Sequence, residues 1–248
     1  MGSSKEDYKA QLPALQWRLF DLQQAVFAQR LPVMVVLDGM AAAGKGGVIA
    51  ALTERLDPRG LRVVPVTPPR TLDTQYPWLR RFWLRVPAYG QIVVYDASWY
   101  RRVIIDRLTG AVKKREWKAG YDDILDFEEQ LAADGTVVVK FWLDLSKRAQ
   151  RKRFAKRLDD PLTAWQVDDE DAAGHDHYKR FARYAAQARE MTHRLHAPWV
   201  VVDAKDKYAA RLNVLRTTIG ALEARLGEAA PEAREGGKLK AEATRPQT

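Results

Sequence analysis

Seven consecutive residues, Gly39-Met40-Ala41-Ala42-Ala43-Gly44-Lys45, stand between a short apolar run (33–37, VMVVL) and a stretch with helical spacing. Their types and order suit phosphate binding. Small side chains let successive backbone N–H groups turn toward phosphate oxygens, the helix that follows adds the positive end of its dipole, and the lysine supplies a mobile cation. The pattern is G-x-x-x-x-G-K, the first part of the Walker A phosphate loop, in the strand-to-helix context that such a loop needs. A tight turn with a solvated lysine would read the same way in isolation; the flanking strand and helix favour the phosphate loop. Gly39, Ala42, Ala43, Gly44 and Gly46 are therefore candidate phosphate contacts through their amides. The residue after Lys45 is Gly46, where the usual Ser or Thr would offer magnesium a hydroxyl, so another oxygen must hold a metal.

A candidate for that oxygen is Asp96. It ends the apolar run Ile92-Val93-Val94-Tyr95, the position of a Walker B carboxylate that holds Mg²⁺ directly or through water. A strand-end aspartate also serves as an ordinary helix N-cap, and both roles stay open for Asp96 taken alone. Arg101 and Arg102 follow closely and can face phosphate bidentately, or merely start a solvated helix.

These groups need a frame. Leu12, Leu15, Leu19, Leu22 and Val26 recur at three- and four-residue intervals, the stripe of a buried helix. Residues 33–37 read as a strand buried on both faces, and 46–56 as a helix stopped by Asp57-Pro58-Arg59-Gly60. Strands are then predicted at 61–66, 92–95, 137–143 and 200–202, with an aromatic-rich helical stretch near 77–86 and a helix at 117–133. Strands alternating with helices imply βαβ units, an α/β protein with a parallel sheet covered on both sides. The polar helical excursion at about 146–195 is too long for a simple crossover and is a candidate lid. Residues 1–226 are predicted to form one domain. Residues 227–248, rich in Ala, Glu, Lys, Pro and Gly, read as a disordered tail.

The composition bounds the chemistry. Forty-one Lys and Arg against 32 Asp and Glu leave a formal charge of +9, so the surface attracts polyanions: nucleic acid, polyphosphate, nucleotides or anionic lipid. The absence of cysteine excludes disulfides, thiolate metal sites and cysteine nucleophiles, and fits a reducing compartment. The first 30 residues carry Asp, Glu and Gln throughout, so neither a signal peptide nor a membrane span is expected and a cytoplasmic protein is the default. Trp78, Phe82, Trp83 and Trp99 read first as core or interface aromatics, and His175 and His177 lack a third partner for metal binding.

Together these motifs resemble the polyphosphate kinase 2 family. That family has G-x-D-x-A-G-K-G-G, then R-F-W-x-x-x-P-x-x-G, D-R-S-W-Y-x-R, a K-F-W-L strand, a helical lid and a P-W-x-x-V strand. Here they read GMAAAGKGG (39–47), Arg81-Phe82-Trp83 with Pro87 and Gly90, DASWYRR (96–102), Lys140-Phe141-Trp142-Leu143 and Pro198-Trp199-Val200-Val201-Val202. The likeness spans residues 12–226 and looks closest to the polyphosphate:AMP phosphotransferase group, many of whose members carry two fused copies of the domain.

The resemblance implies a P-loop kinase (thymidylate-kinase-like) three-layer fold, a Mg²⁺ cofactor, and reversible phosphate transfer between inorganic polyphosphate and a nucleotide (ADP or AMP, GDP or GMP). By position it makes Lys45 the contact to the transferred phosphoryl group, Asp96 the magnesium ligand and Arg102 a neutraliser of phosphate charge. It makes residues 146–157 (SKRAQRKRFAKR) the lid helix, with Arg153 and Arg157 its arginines, and puts Tyr178 where the family has a lid tryptophan. Arg80 and Arg81 are candidates for a basic polyphosphate track, and a homo-oligomer is expected. Two positions depart from the pattern: Ala41 replaces the loop aspartate and Ala97 the arginine after Asp96. They keep open a polyphosphate- or nucleotide-binding regulatory domain with impaired catalysis. An ATP-dependent nucleoside monophosphate kinase shares the loop and lid logic, whereas nucleic-acid binding lacks any recognition motif.

Overall fold

The computed structural model describes residues 5–164, 167 and 169–227. Among them are five strands, all paired in parallel, in the order β2-β3-β1-β4-β5. The first helix, α1 (Lys5–Ala28), runs further than its apolar stripe and includes Pro13. It leads to β1 (Val33–Gly39), the central strand, flanked by β3 (Ile92–Asp96) and β4 (Val137–Asp144). Residues 33–37 are fully buried, as a strand covered on both faces requires. The edges are β2 (Leu61–Pro65) and β5 (Trp199–Asp203).

Helices cover the sheet in two groups. After the phosphate loop, α2 (Lys45–Thr53) packs with α1 and the last helix. The aromatic stretch near 77–86, predicted as a helix, has a single turn, α3 (Arg80–Trp83). Its aromatic residues are spent on packing instead: Phe82 meets Trp99 edge-on at 5.9 Å, and Trp99 meets Phe127 at 4.9 Å. A 3-10 turn (Trp99–Arg102) and α4 (Ile105–Thr109) follow β3, and α5 (Lys114–Ala133) packs against β4. Among the described residues the excursion between β4 and β5 has three α-helices, α6 (Lys147–Leu158), α7 (Asp169–Asp176) and α8 (Tyr178–Thr192). The last helix, α9 (Lys207–Leu226), lies on α1, β4 and β5. The predicted tail, beyond Gly227, lies outside the described residues.

The register sets up the site. Leu37 of β1 pairs with Asp96 of β3, and Gly39 with Leu143 of β4, so three strand ends converge where the loop begins. Ligands of open parallel sheets bind at such carboxyl ends. One fully buried ion pair ties the frame together behind it. Lys140 Nζ of β4 donates to Glu128 Oε2 of α5 at 2.6 Å, to Tyr100 Oη at 2.9 Å and to the Thr192 carbonyl at the end of α8 at 3.0 Å. Burial pulls the Lys140 ammonium down and pushes the Glu128 carboxyl up, each opposed by the other's charge.

Candidate active site

The phosphate loop leaves β1 through a gap that only glycine fits. A Cβ on Gly39 would stand 2.5 Å from the Leu143 carbonyl oxygen, and Met40 N donates to that same oxygen at 2.9 Å. Gly44, at φ +102°, makes the turn into α2, while Ala42 (φ 57°) sits in the left-handed region. For an L-residue that conformation costs about 1–2 kcal/mol, strain of the kind held at functional loops.

Helix α6 grips the loop from outside. Gln150 Nε2 donates to the Ala41 carbonyl at 3.2 Å, and Arg153 Nη1 donates to those of Ala42 (3.0 Å) and Ala43 (3.1 Å). Arg153 Nη2 reaches the Ala204 and Lys205 carbonyls at 2.6 and 3.2 Å, so one guanidinium clamps the loop to the β5–α9 connection. A trans peptide directs its N–H opposite to its C=O. The amides of Ala42 and Gly44 therefore turn away from these contacts, whereas the Ala43 amide, predicted as a phosphate contact, is spent inside the loop on the Met40 carbonyl at 3.1 Å.

Residues 41–46, Asp96, Arg101, Arg157 and Glu170 line one cavity of about 470 Å³. Of the sequence candidates, Gly39, Ala42, Ala43, Gly44, Lys45, Gly46, Asp96 and Arg157 meet there. Three do not. Arg153 is the clamp just described. Arg81 and Arg102 line a second cavity of about 320 Å³ with Trp78, Tyr76 and Glu116. Arg102 Nη2 donates to Glu116 Oε1 at 3.1 Å, its guanidinium 5.5 Å from the Trp78 ring centre, and Arg81 Nη2 donates to the Thr67 carbonyl at 2.7 Å. Arg81 Nη1 and Arg102 Nε are buried without a hydrogen-bond partner, the first 3.8 Å from Asp73 Oδ2. Tyr178, at the expected lid position, donates its hydroxyl to the Leu145 carbonyl at 2.9 Å. His175 Nδ1 lies 2.6 Å from Gln150 Oε1, the side chain that holds the Ala41 carbonyl.

Asp38 is a site residue that was not among the sequence candidates. This carboxylate closes β1 one residue before the loop and is buried, and Ser98 Oγ donates to its Oδ2 at 2.5 Å. Burial pushes its carboxyl up to about 6, against the opposing pull of the Ser98 hydrogen bond and the Lys45 charge, with Asp96 adding to the rise. Ser98 Oγ also accepts from Tyr100 N at 3.2 Å, so Asp38 holds the turn that follows Asp96. A carboxylate at the inner end of an otherwise apolar strand was the available signal. Glu170 gave none, because its approach to the cavity depends on the path of α7.

A metal at this site would rest on little protein. Among the described residues no group of three or more His, Cys, Asp or Glu is placed to hold one. Ala41 puts a methyl group on the cavity wall and Ala97, at φ 62°, another. Mg²⁺ keeps several waters and binds through one or two carboxylates plus substrate phosphates, so Asp96 fits an ion that arrives with its phosphate.

The family model for polyphosphate kinase 2 (PPK2) matches residues 2–230. The chain belongs to the polyphosphate kinase 2 family. It is 39% identical over 220 residues to the polyphosphate:AMP phosphotransferase of Pseudomonas aeruginosa, an alignment covering 89% of this chain and 44% of that protein. It is 34% identical to NDP-polyphosphate phosphotransferase 3 of Ruegeria pomeroyi, covering 88% of this chain and 72% of that one. The crystal structure of polyphosphate kinase 2 from Arthrobacter aurescens superposes with a TM-score of 0.84 at 34% identity, over 89% of this chain and 80% of that one. The chain thus spans a little under half the length of the polyphosphate:AMP phosphotransferases it matches, while covering most of a shorter polyphosphate kinase 2. As the family implies, the α/β class and the parallel sheet of a P-loop kinase fold are present.

Proposed function

We propose that this chain catalyses reversible, Mg²⁺-assisted phosphoryl transfer between inorganic polyphosphate and a nucleoside mono- or diphosphate. The observation that carries the reading is the meeting of the phosphate loop, Lys45, Asp96 and Arg157 around one cavity, beside a second lined by Arg81, Arg102 and Trp78. The names of relatives on both the polyphosphate:AMP and the NDP-polyphosphate sides support the substrate pair. A phosphate oxygen of the nucleotide attacks the terminal phosphorus of polyphosphate in line. The bond from that phosphorus to the next bridging oxygen breaks, its electron pair stays on the shortened chain, and no covalent enzyme intermediate is needed. The loop amides and Lys45 hold the phosphates of one substrate, the second cavity's arginines hold those of the other, and Arg157 adds charge from α6. Bound Mg²⁺ would supply charge neutralisation, held through Asp96. The helices α6–α8 act as a lid that excludes water. Among the described residues no helix is long and apolar enough to cross a membrane; the working compartment we propose is the cytoplasm.

The methyl group of Ala41 on the cavity wall favours a second reading, in which phosphate chains bind without efficient turnover. A coupled assay of polyphosphate and Mg²⁺ with AMP, ADP, GMP and GDP separates the two. Turnover with at least one acceptor, raised by Ala41→Asp, supports transfer. Tight polyphosphate binding with no turnover in either protein selects the binding reading, and turnover with ATP but not polyphosphate as donor overturns the choice of donor.

A further inference from the structure

Arg101 is the one residue among those described that lines both cavities. It stands in the 3-10 turn that follows Asp96, and only 6% of it is exposed. Its guanidinium spans the wall with a carboxylate on either side. Nε and Nη2 donate to Asp106 Oδ1 at 3.2 and 3.0 Å, on the side of the second cavity. Nη1 and Nη2 donate to Glu170 Oε2 and Oε1 at 3.3 and 2.7 Å, on the side of the phosphate loop. Burial alone would depress this guanidinium; its two carboxylates more than offset that and keep it charged.

The two partners differ in kind. Asp106 lies five residues away on α4, with its side chain 8% exposed, and forms part of the local frame. Glu170 comes from α7, 69 residues along the chain, and its side chain is 30% exposed. Asp96 and Asp171 also line the phosphate-loop cavity, but Glu170 is the carboxylate there that sits in the guanidinium fork of Arg101. Its two oxygens take the fork of a guanidinium just as two phosphate oxygens do. We infer that Arg101 contacts the phosphoryl group as it passes between the two cavities, and that Glu170 holds the guanidinium until substrate phosphate displaces it. This rests on the transfer reading, because it assigns one substrate to each cavity.

The test is a double-mutant cycle on tripolyphosphate affinity, measured by calorimetry with Mg²⁺, alongside steady-state turnover and melting temperature. Glu170→Gln keeps the shape and removes the competing charge, so tripolyphosphate binds roughly tenfold more tightly. Arg101→Lys keeps the charge and loses the fork, so kcat falls on the order of 100-fold while melting stays within a few degrees of the parent. In the Arg101→Lys background the tightening by Glu170→Gln shrinks or vanishes, because Glu170 then has no fork to block. General removal of negative charge, or a purely structural role for Arg101, would tighten binding equally in both backgrounds, and that result overturns the inference. So does Glu170→Gln with parental affinity and parental melting. Should Arg101→Lys fail to fold, Glu170→Gln decides alone. A parent chain that binds tripolyphosphate and turns over, with variants that match it, sinks this inference only. A parent that neither binds nor turns over takes the transfer reading down with it.

Discussion

Replacing Asp38 by asparagine removes a buried charge and keeps its shape. The carboxyl titrates near 6 in the folded protein, against 3.8 as its ordinary value, because burial disfavours its ionised form. Between those two values the native state binds more protons than the unfolded state, so the stability of the parent falls as pH rises through the window. A displacement of about two pH units corresponds to roughly 3 kcal/mol once the window has been crossed. Asparagine does not titrate and can still accept from Ser98, although its amide N–H groups need partners, which reduces the gain. The expected result is therefore a variant more stable than the parent at pH 7 by about 1–3 kcal/mol, with the advantage shrinking toward pH 4. Urea unfolding from pH 4 to 8, with chelator present, measures it. A stability difference that stays flat across that range refutes the argument that burial of this carboxylate dominates. Activity should move the other way, because Asp38 anchors the turn carrying Arg101 and lies near Lys45 and Asp96.

Lys140→Met leaves Glu128 without its cation at zero exposure, which should cost about 3–5 kcal/mol, or on the order of 10 °C in melting temperature, with much of it recovered by adding Glu128→Gln. Thermal and chemical denaturation read this, and a loss under about 1 kcal/mol would show the pair to be weakly buried in solution. Arg153→Met removes four carbonyl contacts. It should cost about 1–3 kcal/mol and speed amide exchange in residues 41–46, weakening tripolyphosphate binding although Arg153 does not line the cavity; unchanged exchange there would remove its role as a clamp.

Much of the fold was legible because its signals are local. The run at 33–37 read as a strand buried on both faces and that at 137–143 as a strand, and the glycine-and-lysine loop fell between strand and helix as expected. The aromatic stretch near 77–86 misled because its rings are placed by tertiary packing, Trp78 on Phe82, Phe82 on Trp99 and Trp83 on Phe127, around a single helical turn. The site was legible where it is contiguous with the loop or with β3. It was not where residues meet by long-range geometry. Arg153 and Arg157 share one helix, yet one turn of it separates a clamp from a cavity-lining group. Neighbouring Arg101 and Arg102 likewise divide, the first spanning the cavity wall and the second turning to Glu116 and Trp78. Which arginine faces which cavity depends on the 3-10 turn, set by the Ser98 cap and by Asp38, and no spacing rule carries that information.

The central claim is that the junction of β1 and α2 grips a chain of phosphates. Calorimetric titration of Mg²⁺-tripolyphosphate into the parent and into Lys45→Met tests it most directly. The account expects saturable binding by the parent at one site per chain, weakened roughly 10- to 100-fold by the loss of a charged contact in Lys45→Met. Equal affinity in the two proteins, or no binding by a folded parent, would contradict it.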